Sequence, residues 1–406
     1  MEKSVNTHSC SIDELKNVRV PLLIFGAGAT GEALLQICRL NGIAVTGLCD
    51  NSSAKTDTIL RDTVIYHPSQ LKNLFPEAFF LIGVADIQDI VTQLHTLGYD
   101  RWSSCLLLEN QNTAGLDWGD RPKDFIDFAI NTCLLCHRRY LEPDRLFLRS
   151  VDVMVTERCS LRCKDCSNLM QYYQKPRNFE LDELYAGLDA MLAAIDEIND
   201  CRVIGGEPLM HREVHQVVSH LTANPKVKRV AIYTNGTILP RPEQMEAFRH
   251  PKVLFLITDY GPLSKRLTDL VALLQAENIT SYVHPGDGWT ACSGIGCHNR
   301  SAEQLQQIFS VCCARNLLTL CGTKLYRCPF IANAAQLRAI PTRPENYVDL
   351  AQGDSVMQRT RISEFIAGTT FFPGCDYCDG RSWTGTPVPA AVQATQPLPY
   401  QTCQEQ

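Results

Sequence analysis

Cys159-Ser160-Leu161-Arg162-Cys163-Lys164-Asp165-Cys166 is a C-x3-C-x2-C loop that follows the apolar run Val151–Thr156 almost at once. Three thiolates spaced this closely can ligate three irons of a cubane cluster and leave the fourth without a protein ligand. A small molecule carrying an amine and a carboxylate can chelate that open iron. Zinc is the competing reading. Structural zinc prefers four protein ligands, however, and no histidine follows within the loop.

Outward from the loop, strand and helix patterns alternate. Strands are expected at Val151–Thr156, Arg202–Ile204, Arg229–Tyr233, Val253–Thr258 and Thr280–His284, and helices at Leu181–Ile198, His211–Leu221 and Leu263–Glu277. Repeated βα units of about 25–30 residues suit a partial barrel, whose sites lie at the C-terminal strand ends. Gly205-Gly206-Glu207-Pro208, Thr234-Asn235-Gly236 and Thr258-Asp259-Tyr260 each follow a strand.

With the cysteine loop after the first strand and Gly-Gly-Glu-Pro after the second, Val151 to Val283 resembles the radical SAM (S-adenosylmethionine) superfamily. The resemblance implies a SAM-binding 4Fe-4S cluster on Cys159, Cys163 and Cys166. It also implies SAM held by Gly205, Gly206 and Glu207, with Thr234 and Asn235 beside it, and reductive cleavage to a 5′-deoxyadenosyl radical that abstracts hydrogen from a substrate. Glycines admit the ligand to the backbone, and a carboxylate complements the methionyl ammonium. Many members carry an aromatic residue just before the third cysteine, where this chain has Asp165. Asp259, Tyr260, Asp287 and Trp289 are the candidates for substrate contact. A reducing donor such as flavodoxin or ferredoxin is the implied partner.

A second cysteine group follows: Cys312, Cys313, Cys321, Cys328, Cys375 and Cys378. It resembles the SPASM/twitch extension of the same superfamily, and too few cysteines follow Cys378 for the full SPASM set. One auxiliary 4Fe-4S cluster is implied, on Cys313, Cys328, Cys375 and Cys378, with Cys312 or Cys321 as alternates. A four-cysteine zinc knuckle suits the same ligands. Cys133 and Cys136 form another C-x2-C inside an expected helix and read as core. His211 and His215 read as ordinary helix residues. Cys292 and Cys297 flank two glycines in a loop near the expected site.

The N-terminal part is a separate α/β unit. Strands are expected at Val20–Phe25, Ala44–Cys49, Thr63–Tyr66, Phe79–Val84 and Ser104–Leu108, with helices at Glu32–Leu40, Pro68–Leu74 and Ile87–Leu97. Gly26, Gly28 and Gly31 lie between the first strand and its helix, and Asp50 ends the second strand. This is the context of a dinucleotide fingerprint, so NAD or another nucleotide is a candidate ligand. The unit resembles short Rossmann-like domains of sugar-modifying proteins.

The resulting fold class is α/β. A Rossmann-like domain is expected over 1–116, a helical connector over 117–150 and a radical SAM partial barrel over 151–304. A twitch-like extension follows over 305–390, then an irregular tail over 391–406. Composition narrows the rest. Of 406 residues 45% are hydrophobic and 20% charged, as in ordinary globular proteins. The net charge is −6 and no basic block stands out, which argues against a nucleic-acid partner. No apolar run is long enough for a bilayer, and Met1–Cys10 lacks a signal-peptide core, so a cytoplasmic location is expected. Nineteen cysteines, an odd number, then suit metal binding and free thiols in a reducing compartment. A small-molecule substrate, possibly nucleotide-linked, is the first expectation. A peptide-modifying radical SAM enzyme is the alternative within the class, and a zinc-stabilised nucleotide-binding regulator the alternative outside it.

Overall fold

The computed structural model describes residues 8–119, 121–142, 144–368, 370–382 and 385–400. The ends of the chain, including the last six residues of the expected tail, lie outside the described residues. The chain forms two compact units, Met1–Arg145 and Leu146–Gln406.

In the first unit, short strands make a sheet whose central members, Leu22–Phe25 and Phe79–Ile82, are apolar and buried throughout, as parallel strands joined by helices require. The strands are β1 (Leu22–Phe25), β2 (Gly47–Cys49), β3 (Ile59–Leu60), β4 (Thr63–Tyr66), β5 (Phe79–Ile82) and β6 (Trp102–Ser103), in the order β3-β4-β2-β1-β5-β6. All neighbours are parallel except β3 and β4. The strand expected at Ser104–Leu108 is instead a 3-10 helix, Cys105–Asn110. Its cause is local: the Ser104 hydroxyl accepts the Leu106 N–H, a bond that competes with a ladder. The helix expected as a connector spans Lys123–Leu141. It packs into this unit, where Ile126, Ile130 and Cys133 share a core with Leu34, Leu35 and Cys38.

The second unit is built on one eight-stranded sheet. Its strands are β7 (Phe147–Thr156), β8 (Glu197–Gly205), β9 (Val227–Thr234), β10 (Val253–Asp259), β11 (Thr280–Pro285), β12 (Leu318–Cys321), β13 (Lys324–Tyr326) and β14 (Tyr347–Asp349). The order is β11-β10-β9-β8-β7-β12-β13-β14, parallel from β11 to β12 and antiparallel through the last two pairs. The cysteine-rich extension thus continues the barrel's own sheet. The helix expected over Leu181–Ile198 stops at Ala194, and β8 begins at Glu197. The Asp196 carboxylate accepts the Leu146 N–H at 2.7 Å and ties the chain into the ladder at that point.

Val151, Val153 and Val155 are fully buried in the large core of this unit. Asp152 alternates with them on the other face, paired with Arg202 opposite it on β8. The strand ends Thr156, Gly205, Thr234 and Asp259 lie along one edge, which gathers the loops that follow them. No helix among the described residues is long and apolar enough to cross a membrane.

Candidate active site

The cysteine loop is held by the backbone of a segment far away in sequence. Lys164 N–H donates to the Val392 carbonyl at 2.7 Å, and Ala394 N–H to the Arg162 carbonyl at 2.7 Å. Between them Gln393 accepts the Arg162 N–H at 2.7 Å and donates Nε2–H to Cys163 Sγ at 3.3 Å. Asn235 Nδ2 approaches Cys159 Sγ at 3.7 Å. Burial raises all three thiols, that of Cys163 to about 11; Cys166 raises Cys159 and Cys163 further, and Cys292 raises Cys166. Such a set becomes thiolate only when a cation compensates it.

Spacing bears on the kind of cation. Two sulfurs on one zinc lie no farther apart than twice the Zn–S bond, about 4.6 Å. Among the described residues, only Cys105, Cys133 and His137 form a group of three whose ligand atoms all lie within 4.8 Å. The sulfurs of Cys159, Cys163 and Cys166 are not all within that distance of one another, so as placed they do not share one ion. The close group in the first unit is explained by packing. His137 is buried with both ring nitrogens engaged, Nε2 with the Val84 carbonyl at 2.8 Å and Nδ1 with the Cys105 N–H at 3.1 Å.

The Gly-Gly-Glu segment packs directly against the loop. A Cβ on Gly206 would stand 2.3 Å from the Arg158 carbonyl oxygen and 2.6 Å from Cys159 Cβ. One on Gly205 would stand 2.1 Å from the Thr156 oxygen. The Glu207 carboxylate turns inward, fully buried, and accepts the Thr234 hydroxyl at 2.9 Å, the Asn235 N–H at 2.9 Å and the Leu209 N–H at 3.1 Å. Burial raises its pKa to about 7 against those three donors. The carboxylate thus acts as a brace within the protein. Glu207 fixes Thr234 and Asn235, and Asn235 reaches the cysteine loop.

Of the four residues expected to touch substrate, Tyr260 and Trp289 stand together, rings edge to face at 5.8 Å. Tyr260 is pushed well above the ordinary phenol value, first by burial and then by the nearby Cys163, Cys166 and Cys159. Trp289 lines a cavity of about 170 Å³ with Asp165, Ser167, Cys292, Cys313 and Arg381. Asp259 caps a turn through the Gly261 N–H at 2.7 Å. Asp287 is exposed on the loop leading to Trp289, and neither acid lines the cavity.

In the second cysteine group, Cys312, Cys328, Cys375 and Cys378 line one apolar cavity together with Arg381. Cys313, the first choice from sequence, faces the neighbouring cavity with Trp289, and its N–H bonds the Arg381 carbonyl at 2.7 Å. Cys321 is buried at the end of β12 and lines neither. Backbone N–H groups point at three of the four sulfurs: Ala314 at Cys312 (3.4 Å), Ile331 at Cys328 (3.5 Å) and Gly380 at Cys378 (3.3 Å). Arg327, buried, and Arg381, half-buried, stand beside them. Amide donors and guanidinium charges fit thiolates on a cluster, and the spacing argument against one zinc ion applies here as well.

The N-terminal glycines are used by packing. A Cβ on Gly31 would lie 1.8 Å from the Gly26 oxygen, and Gly26 itself has φ +108°. Asp50 already holds the Ala27 N–H (2.9 Å), the Ser52 N–H (2.9 Å) and the Lys55 ammonium (3.0 Å). Burial works to raise this carboxyl, but those three partners outweigh it and hold it below its ordinary value. A ribose at this position has to displace Lys55.

Residues 153–258 match the family model described as the radical SAM superfamily. A GTP 3′,8-cyclase of Stenotrophomonas maltophilia is 38% identical over 90 residues, covering 21% of this chain and 26% of that protein. A GTP 3′,8-cyclase of Clostridium acetobutylicum is 33% identical over 97 residues, 23% of this chain and 30% of that one. The matches therefore span between a quarter and a third of these relatives' length. A solved structure of BtrN with AdoMet and 2-DOIA is 15% identical, covering 57% of this chain and 93% of that chain at a TM-score of 0.38. The cysteine loop, Gly205–Glu207 and Thr234–Asn235 all fall within the matched residues, and this stretch of the chain is a radical SAM domain.

Proposed function

We propose that this protein cleaves SAM reductively and uses the resulting radical to take a hydrogen atom from a small molecule bound beside Trp289. The observation that carries the reading is the cysteine loop. Its three thiols share one short loop, are braced by Asn235 and Gln393, and are pressed against glycines that admit no side chain. Cys159, Cys163 and Cys166 would hold a 4Fe-4S cluster with one iron left open to SAM. When bound, that pair supplies one-electron cleavage to methionine and a 5′-deoxyadenosyl radical. The protein's part is positioning. Glu207 fixes the Thr234–Asn235 turn, the glycine backbone leaves room for the methionyl group, and Tyr260 and Trp289 wall off solvent on the substrate side.

Cys312, Cys328, Cys375 and Cys378 are proposed to hold one auxiliary cluster. The reduced donor is proposed to be a flavodoxin or ferredoxin. The similar proteins named GTP 3′,8-cyclase favour a nucleotide-linked substrate as the narrower form of the reading. The test is iron and sulfide content with an EPR spectrum after anaerobic reconstitution, with 5′-deoxyadenosine measured alongside. About eight irons, falling to about four in the Cys159→Ala/Cys163→Ala/Cys166→Ala variant, with a signal perturbed by SAM, support it. Zinc without iron overturns it.

A further inference from the structure

Arg381 is the one charged group that lines both the Trp289 cavity and the four-thiol cavity. Its side chain is half-buried, and its Nε and Nη1, themselves shielded from solvent, have no hydrogen-bond partner. No carboxylate pairs with it among the described residues. Asp152 feels its charge but is paired with Arg202. The groups that act on it most strongly are Cys292 and Cys313, on the Trp289 side, ahead of Cys328 and Cys378 on the other. The four-thiol cavity already has Arg327 beside it, so its charge does not account for Arg381 alone.

A buried guanidinium with unused donors is costly unless an anion completes it, and its planar fork matches a carboxylate or phosphate. The cavity before it is lined by Ser167, Thr290 and Ser382, small hydroxyl residues suited to an oxyanion, with Trp289 as an apolar wall. Resting on the function proposed above, we propose that Arg381 is a substrate-binding residue and that the substrate carries an oxyanion, a carboxylate or a phosphate, which docks on its guanidinium. This places the substrate between the cysteine loop, represented in the cavity wall by Asp165, and the four-thiol cavity behind Arg381.

The test uses the full-length reconstituted protein with SAM, titrated calorimetrically with inorganic phosphate and, separately, with acetate. At least one is expected to bind at a single site, and the tighter of the two identifies a phosphorylated or a carboxylate substrate. Arg381→Gln is expected to weaken that binding by about ten-fold or more with the iron content unchanged. Arg381→Lys, which keeps the charge but loses the fork, is expected to weaken it by about three-fold or more while keeping iron, and it carries the test if the glutamine variant does not fold. Absence of binding by either anion overturns the proposal, as does equal binding by the variants. Loss of about half the iron in Arg381→Gln with anion binding retained also overturns it, and assigns Arg381 to the auxiliary site. Failure of the underlying function shows separately, as wild-type protein without iron or without 5′-deoxyadenosine.

Discussion

Replacing Gln393 tests whether the remote C-terminal segment tunes the metal site or only covers it. Its Nε2–H donates to Cys163 Sγ at 3.3 Å, and its Oε1 accepts the Arg162 N–H at 2.7 Å. A hydrogen bond to a cluster sulfur stabilises the reduced, more negative state more than the oxidised one, and so raises the potential. Hydrogen bonds to charged groups contribute about 1.5–3 kcal/mol. If half of the lower figure depends on redox state, removal costs the reduced form about 0.7 kcal/mol, or about 30 mV at about 59 mV per tenfold. Gln393→Leu is therefore expected to lower the midpoint potential of the SAM-binding cluster by a few tens of millivolts, read by EPR-monitored redox titration. It also orphans the Arg162 N–H, at about 1–3 kcal/mol of stability. Gln393→Glu keeps that acceptor, removes the donor and adds a negative charge, so its potential falls further while its thermal midpoint drops less. A potential unchanged in both variants, with iron content equal to wild type, refutes the argument and leaves Gln393 as packing.

Three other outcomes are expected. Gly206→Ala brings a methyl group within 2.3 Å of the Arg158 oxygen and 2.6 Å of Cys159 Cβ, contacts that neither neighbour can relieve by turning a side chain. It should lower stability by about 1–3 kcal/mol and reduce iron incorporation, measured by thermal unfolding and iron assay; normal values for both would count against the close packing. Cys312→Ala is expected to lose the auxiliary irons and Cys313→Ala to keep them, and the reverse result would reassign the ligand. His137, buried and held neutral, has its pKa lowered to about 4 by burial, against the Val84 carbonyl bond that opposes the shift. Between pH 6.5 and 4 the unfolded chain takes up a proton that the native chain refuses, so this contribution is full above pH 6.5 and is lost as pH falls. About 3 kcal/mol is expected over that window at about 1.4 kcal/mol per unit. Hydrogen exchange in the Lys123–Leu141 helix should show the loss in wild type and a flatter profile in His137→Gln, and identical slopes would argue against it.

What could be read from sequence was what is local. The three cysteines share one loop, and Gly205–Glu207 and Thr234–Asn235 each sit where an apolar strand ends, so strand pattern and motif support each other without long-range information. Beyond the barrel half, short strands at Leu317–Leu320 and Lys324–Arg327 are legible, but not that they join the same sheet. The addition of β12 to β7 joins residues such as Leu318 and Val151, and no periodicity announces that pairing. Gln393 escaped notice for the same reason: it lies 230 positions from Cys163 in a Pro- and Thr-rich tail, held by a few backbone bonds rather than by an amphipathic pattern. The choice between Cys312 and Cys313 turned on how the chain leaves the Ala302–Ser310 helix, which adjacent identical residues cannot encode. At Gly26, Gly31 and Asp50 the difficulty is of another kind. Close packing and phosphate binding ask for the same glycines, and only the Lys55 ammonium on Asp50 shows that the fold itself uses the acid.

Arg381 shows how spacing that looks incidental can set the geometry of a site. It follows Cys378 by three residues, with Gly380 between them at φ +95° and its N–H on the Cys378 sulfur. That left-handed turn, open to glycine and strained for other residues, lets one stretch of backbone give a thiol to one cavity and a guanidinium to the next. The two cavities are therefore tied to each other by covalent chain as well as by packing. If Arg381 holds an anion as proposed, negative charge on the four sulfurs acts through it on that anion. Binding at the Trp289 cavity and the potential of the auxiliary site should then shift together by equal coupling energies, as linkage between two sites on one protein requires.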